Sequence, residues 1–125
     1  MKVWILERYY TPEECLETAK KFEEILSEYK GGYDLYGVEL IQAKIEESKK
    51  RYRSGEGRWA GFEGKTNYKA FIQVAQEAIL RNKGAEFRVV EGEIDPGADT
   101  WIGYKTVKVN EGVMRYLNHI AARGR

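Results

Sequence analysis

The chain has 125 residues, 33% of them charged, and its 21 Lys and Arg nearly balance 20 Asp and Glu, leaving a net charge of +1. That length suits one domain, 1–125, able to bury a core without disulfides or metal. The charge balance excludes a general DNA-binding or anionic-membrane protein, which needs a basic excess or a basic face.

Cys15, the one cysteine, excludes an internal disulfide and a cysteine zinc cluster, and fits a reducing cytoplasm. The opening Met-Lys-Val-Trp-Ile-Leu-Glu-Arg has too short an apolar run for a signal peptide or membrane span, so no membrane partner is expected. Nine Tyr, three Trp and four Phe form an aromatic surplus of the kind found in ligand pockets and subunit interfaces. The surplus points to a homodimer or higher symmetric oligomer.

Val3 to Tyr10 (VWILERYY) reads as a strand, β-branched and aromatic, ending at Thr11-Pro12. Val3, Ile5 and Tyr9 share one face; Trp4, Leu6, Arg8 and Tyr10 share the other. Both faces are mostly apolar, which makes the strand central in its sheet or covered on both sides. Thr11-Pro12-Glu13-Glu14 is a helix start, with an N-cap Thr and a capping-box Glu. Cys15, Ala19, Phe22, Leu26 and Tyr29 make the buried stripe, and Gly31-Gly32 ends the helix. Cys15 is therefore a packing residue and not a nucleophile.

Tyr33 to Gly37 is a short connection. A second helix follows from Val38 to Arg53, with Val38, Ile41, Ile45 and Tyr52 inward and a basic end suited to the macrodipole. Ser54 to Thr66 (SGEGRWAGFEGKT) holds Gly55, Gly57, Gly61 and Gly64 among Arg58, Trp59, Phe62 and Lys65. It reads as a glycine loop, mobile when empty and ordering over an anionic, base-containing ligand. Its Gly61–Thr66 segment superficially resembles a phosphate-binding loop, but Trp59 stands where the first glycine is required and no strand precedes it.

Thr66 or Asn67 caps a third helix through Leu80, stopped at Asn82-Lys83-Gly84. Ala85–Ile94 and Thr100–Val109 form an antiparallel hairpin across the Asp95–Asp99 turn. Phe87 and Val89 lie on one side of the first strand, Arg88, Val90 and Ile94 on the other. Trp101, Val107 and Val109 share one face of the second strand, Ile102, Tyr104 and Thr106 the other. Asn110 caps a last helix. The expected fold is α+β, order β-α-α-α-β-β-α, with four helices on a small three-stranded, largely antiparallel sheet.

Enzyme chemistry is not expected. His119, the only histidine, stands in the last helix without a local motif. Glu91, Glu93, Asp95 and Asp99 could gather to hold a metal, though a solvated turn is the plainer reading, and no cofactor is expected. A binding surface of Arg8, Arg53, Arg58, Trp59, Phe62, Lys65, Arg88, Trp101 and Tyr104 would suit a small anionic nucleotide-like ligand, by stacking and charge-assisted bonds. The same residues would also serve a protein-interaction module or a single-strand- or RNA-binding domain.

The aromatic- and Arg-rich strand WILERYY, the helices after it and the late hairpin FRVVEGEI and TWIGYKTVKV look like small phage anti-defence proteins. In size and element order the layout resembles the Thoeris anti-defence sponges. That resemblance implies a cytoplasmic protein that sequesters a cyclic ADP-ribose-type signal without cleaving it. It matches no motif residue by residue and so assigns no site. A rival phage reading is an inhibitor of a host defence nuclease.

Overall fold

The apolar run near the start forms strand β1, Lys2–Tyr10, in a computed structural model that describes residues 1–28, 35–97 and 103–123. Helices α1 (Pro12–Glu28) and α2 (Leu35–Ser54) follow, then strand β2 (Arg58–Lys65) and helix α3 (Tyr68–Arg81). Strands β3 (Phe87–Glu93) and β4 (Lys105–Val109) and helix α4 (Glu111–Arg123) complete the order. These elements fall into two compact units, Tyr10–Arg58 and Met1–Tyr9 with Trp59–Arg125.

In the first of these units α1 and α2 pack on each other. The capping box closes: Glu14 N–H donates to Thr11 Oγ1 at 3.1 Å, and Thr11 N–H to Glu14 Oε1 at 3.1 Å. Of the expected stripe, Cys15 and Ala19 are buried and Phe22 and Leu26 half-buried, while Tyr29 and Gly31-Gly32 lie outside the described residues. Burial pushes the Cys15 thiol up, against the lowering charges of Arg58 and Arg51, so a packing role is the one it is suited to. Ile45 of α2 is buried as expected; Tyr52 is exposed.

The other unit carries a four-stranded sheet in the order β2-β1-β3-β4. The expected three-stranded sheet with order β-α-α-α-β-β-α is thus corrected to β-α-α-β-α-β-β-α. The error lies in Ser54–Thr66: instead of a glycine loop, Arg58–Lys65 is a strand beside β1. Of its four glycines only Gly55, at φ 73°, takes the left-handed backbone that glycine favours. The others lack positive φ, and Ala60, Phe62 and Gly64 alternate with Trp59, Gly61 and Glu63 as strand residues do. A lid that orders over a ligand is therefore not available from this segment.

β1 is an interior strand, as its two apolar faces imply. It pairs antiparallel with β3 from Lys2↔Glu93 to Arg8↔Phe87, with Leu6↔Val89 and Glu7↔Arg88 between. One face joins Leu6 and Val89 to Phe71, Ala75 and Ala78 of α3 and Leu117 of α4. The other joins Val3, Ile5 and Val90, with Ile94 and Tyr104 against them. Of the two expected caps of α3, Thr66 and Asn67, it is Asn67 that serves, its Oδ1 accepting from Ala70 N–H at 2.9 Å.

β3 and β4 pair antiparallel as a hairpin, but a bulge interrupts the register between Glu91↔Lys108 and Gly92↔Thr106. The extra residue shifts the side-chain alternation, so Thr106 and Val109 share a face that simple alternation would split between them. Gly92 sits in a crowded place there: a Cβ would stand 3.1 Å from Tyr104 Cδ2 and 3.2 Å from the Lys105 carbonyl, so a side chain would press on both. Among the described residues no helix is long and apolar enough to cross a membrane.

Candidate functional site

Val3, Ile5, Glu7 and Tyr9 alternate onto one face of β1, and Glu7 puts a carboxylate into an otherwise apolar row. Only 4% of Glu7 is exposed, a position that disfavours a charge unless it is fully paired. β3 supplies the partner directly opposite: Arg88 Nε donates to Glu7 Oε1 at 2.7 Å. The Tyr104 hydroxyl donates to the other carboxylate oxygen. Arg88 also lies over the Trp59 ring at 4.5 Å, and Trp59 leans on Tyr9 with centroids 5.1 Å apart. The guanidinium plane is thereby held from two directions.

Beside this plane opens a pocket of about 480 Å³. Trp59, Glu86 and the β3 residues Phe87 to Val89 form one wall, and Asn110, Glu111, Met114, Arg115 and Asn118 form the other. Glu111, Arg115 and Asn118 recur at steps of four and three, so α4 turns one face toward the cavity. The charges in the lining balance: Glu86 and Glu111 against Arg88 and Arg115. Since Arg88 Nε is committed to Glu7, exposed Arg115 is the cation with the freer reach. The volume falls in the range of small-molecule sites, roughly 300–1,000 Å³.

The start of α4 is tied to the sheet by a polar strut. Asn110 accepts from Val113 N–H through Oδ1 at 3.0 Å, capping the helix, and donates through Nδ2 to Glu91 Oε2 at 2.9 Å. Glu91 is in turn paired with Lys2, whose ammonium lies 4.1 Å from the Trp4 ring centroid. The hydrogen bonds from Lys2 and Asn110 hold the Glu91 carboxyl below its ordinary range. A depressed folded-state value gives stability that is present above the ordinary glutamate range and lost as pH falls through the lowered value. Glu91→Gln is expected to cost about 1 kcal/mol at neutral pH. That difference from wild type should close on acidification, as read by urea unfolding at a series of pH values.

Of the residues named from sequence, Trp59 and Arg88 line the pocket, and Tyr104 joins them through Glu7. Phe62 lies on the opposite face, half-buried and packed edge-on against Phe87 at 5.6 Å beside the core. Arg8 is half-buried on that same face of β1, and Lys65 is exposed at the end of β2. Arg53 and Arg58 belong to the α1–α2 unit. Trp101 and Asp99 lie outside the described residues. Glu93 meets the terminal ammonium of Met1 at 3.0 Å, and Glu91 serves the strut. Among the described residues no group of three His, Cys, Asp or Glu is placed to hold a metal. His119 is exposed on α4.

Sequence reasoning missed Glu7, Met114, Arg115 and Asn118. For the α4 residues a signal existed in their spacing. For Glu7 it was a lone acid in an apolar strand face, whose meaning depends on the Arg88 opposite. Comparison with protein-family models, with curated proteins and with solved structures finds no match to this chain.

Proposed function

We propose that this protein is a non-catalytic binding protein that sequesters a small nucleotide-derived molecule in the pocket between the β3 edge and α4. The observation that carries the reading is the convergence of Trp59, the fixed Arg88 plane, Arg115 and Asn118 on one cavity of about 480 Å³. A base stacked on an aromatic or guanidinium face gains about 1–3 kcal/mol, and Arg115 supplies a fork for phosphate oxygens. This pocket supports the reading in place of the likeness to the anti-defence sponges, because the element order behind that likeness gains a strand. A cyclic ADP-ribose-type molecule is one member of the ligand class.

Thermal unfolding with a panel of nucleotides and cyclic nucleotides tests it. A ligand at about a hundred times its Kd adds about 2.7 kcal/mol, a rise of several degrees in Tm. Arg115→Ala should clearly reduce the rise and Tyr116→Ala, outside the pocket, should keep it in full. A panel with no rise at all rejects the reading.

A second reading, a protein-interaction surface, has its own observation. Tyr68, Ile72 and Tyr116, with Lys69, line a shallow depression of about 310 Å³ on α3 and α4, and both tyrosines are exposed. The symmetric dimer expected from the aromatic surplus would use this patch. Light scattering at high micromolar concentration should then give twice the chain mass, and Tyr116→Glu should return it to one. A clean wild-type monomer removes the dimer.

A further inference from the structure

The edge of β3 inside the pocket has an unusual shape. Tyr9 N–H donates to the Glu86 carbonyl at 2.8 Å, which fixes the direction of every main-chain group along β3. Groups of Glu86, Arg88 and Val90 point to β1, and those of Phe87, Val89 and Glu91 point away from it, toward β4. β4 meets only Val90 to Glu93, and the chain then turns into α4. Asn110 N–H takes the Val89 carbonyl at 2.8 Å, which closes that carbonyl to a ligand. At the other end Ala85 N–H is turned back onto the Asn82 carbonyl at 3.1 Å. Phe87 remains between them, its N–H and C=O directed out of the sheet edge where Glu86, Phe87, Arg88 and Val89 line the cavity.

We infer that the Phe87 main chain is the specificity element of the pocket, reading a planar heterocycle that carries a hydrogen-bond donor next to an acceptor. The inference rests on the small-ligand reading above and names the part of the ligand that is recognised. One residue's N–H and C=O form a donor–acceptor pair that an amide or amidine edge of a ring can meet with two bonds. An extended peptide would need complete donor–acceptor pairs at every second residue, and along this edge the Val89 carbonyl and the Ala85 N–H are already taken, which leaves Phe87 as the residue with both groups directed outward. The flat occupant is also the one that suits the walls. A ring bonded to Phe87 lies between the Arg88–Trp59 side and Met114 of α4, with Asn118 and Arg115 left for substituents. Purines that present N–H beside a ring nitrogen or carbonyl have this edge.

The test is amide-resolved NMR on the isotopically labelled full chain, titrated with adenosine 5′-monophosphate and inosine 5′-monophosphate. Ribose 5-phosphate and the N6,N6-dimethyl form of the adenosine nucleotide serve as controls. The inference expects one of the two nucleotides to bind, to shift the Phe87 amide and to slow its exchange. For an adenosine ligand, dimethylation of N6 should weaken binding about tenfold or more, the loss of one good bond. Ribose 5-phosphate should leave the Phe87 amide unmoved. Nucleotide binding that leaves the Phe87 amide unchanged overturns the inference while the pocket's ligand class stands. So does equal binding of the dimethylated form by an adenosine-binding protein. Failure of both nucleotides to bind overturns the inference, and failure of the wider nucleotide and cyclic-nucleotide panel overturns the ligand class as well.

Discussion

Arg88→Ala is expected to destabilise the protein by about 3 kcal/mol, the low end of the range for breaking a buried ion pair. The substitution leaves the Glu7 carboxylate buried with its Oε1 partner gone, while the Tyr104 hydroxyl still holds the other oxygen. The low end applies because Arg88 is 31% exposed, so water reaches part of the vacated site. The double change Glu7→Leu with Arg88→Met should recover most of the loss, since two apolar side chains leave no buried charge. Urea unfolding of the two single variants and the double measures this. A loss below about 1 kcal/mol in Arg88→Ala would mean the pair behaves as a surface bridge. The double variant should still lose ligand affinity, because the guanidinium plane is gone whether or not the fold is restored.

Phe71→Ala is expected to cost about 3–5 kcal/mol, a large fraction of the stability of a chain this size. Phe71 has no exposed surface and stands where α3, the sheet residues Leu6 and Val89, and Leu117 of α4 meet. Its ring stacks toward Trp4 at 6.3 Å, so truncation removes an aromatic contact along with the buried area. Phe71→Leu keeps most of the volume and should cost about 1.5 kcal/mol or less. Denaturant unfolding reads both. If alanine and leucine cost the same small amount, the site collapses around the loss and the cluster is not tightly packed.

What could be read from the chain beforehand was mostly local. The Thr11–Glu14 capping box and the Asn67 and Asn110 caps depend on residues three apart, and each forms as the spacing says. β1 showed itself through two apolar faces, which only an interior strand requires. β2 did not, because four glycines in a short run weigh toward a loop in any local reading. Its strand character comes from pairing with β1 and from seating Phe62 on Phe87, both long-range facts. The bulge in β4 is similarly invisible without the Gly92 contact that its register creates.

The candidate site divides the same way. Trp59 and Arg88 stood out by residue type, and they do meet. Glu7 gains its role only when β1 and β3 pair, which sets it opposite Arg88. Arg115 and Asn118 share a face of α4 by spacing, but the Asn110–Glu91 strut is what aims that helix beside the β3 edge. Phe62 misled for the opposite reason: an aromatic beside glycines and cations looks like a ligand platform, and its strand parity sends it into the core.

The most direct measurement of the central claim is calorimetric titration of nucleotides and cyclic nucleotides into the wild-type protein and into the Trp59→Ala, Arg115→Ala double variant. Saturable one-to-one binding of at least one compound with a base and a phosphate is expected. The variant should bind at least a hundredfold more weakly, about 2.7 kcal/mol from one lost stacking contact and one lost charge-assisted contact. Heat traces indistinguishable from dilution across the whole panel, or equal affinity in the double variant, would contradict it.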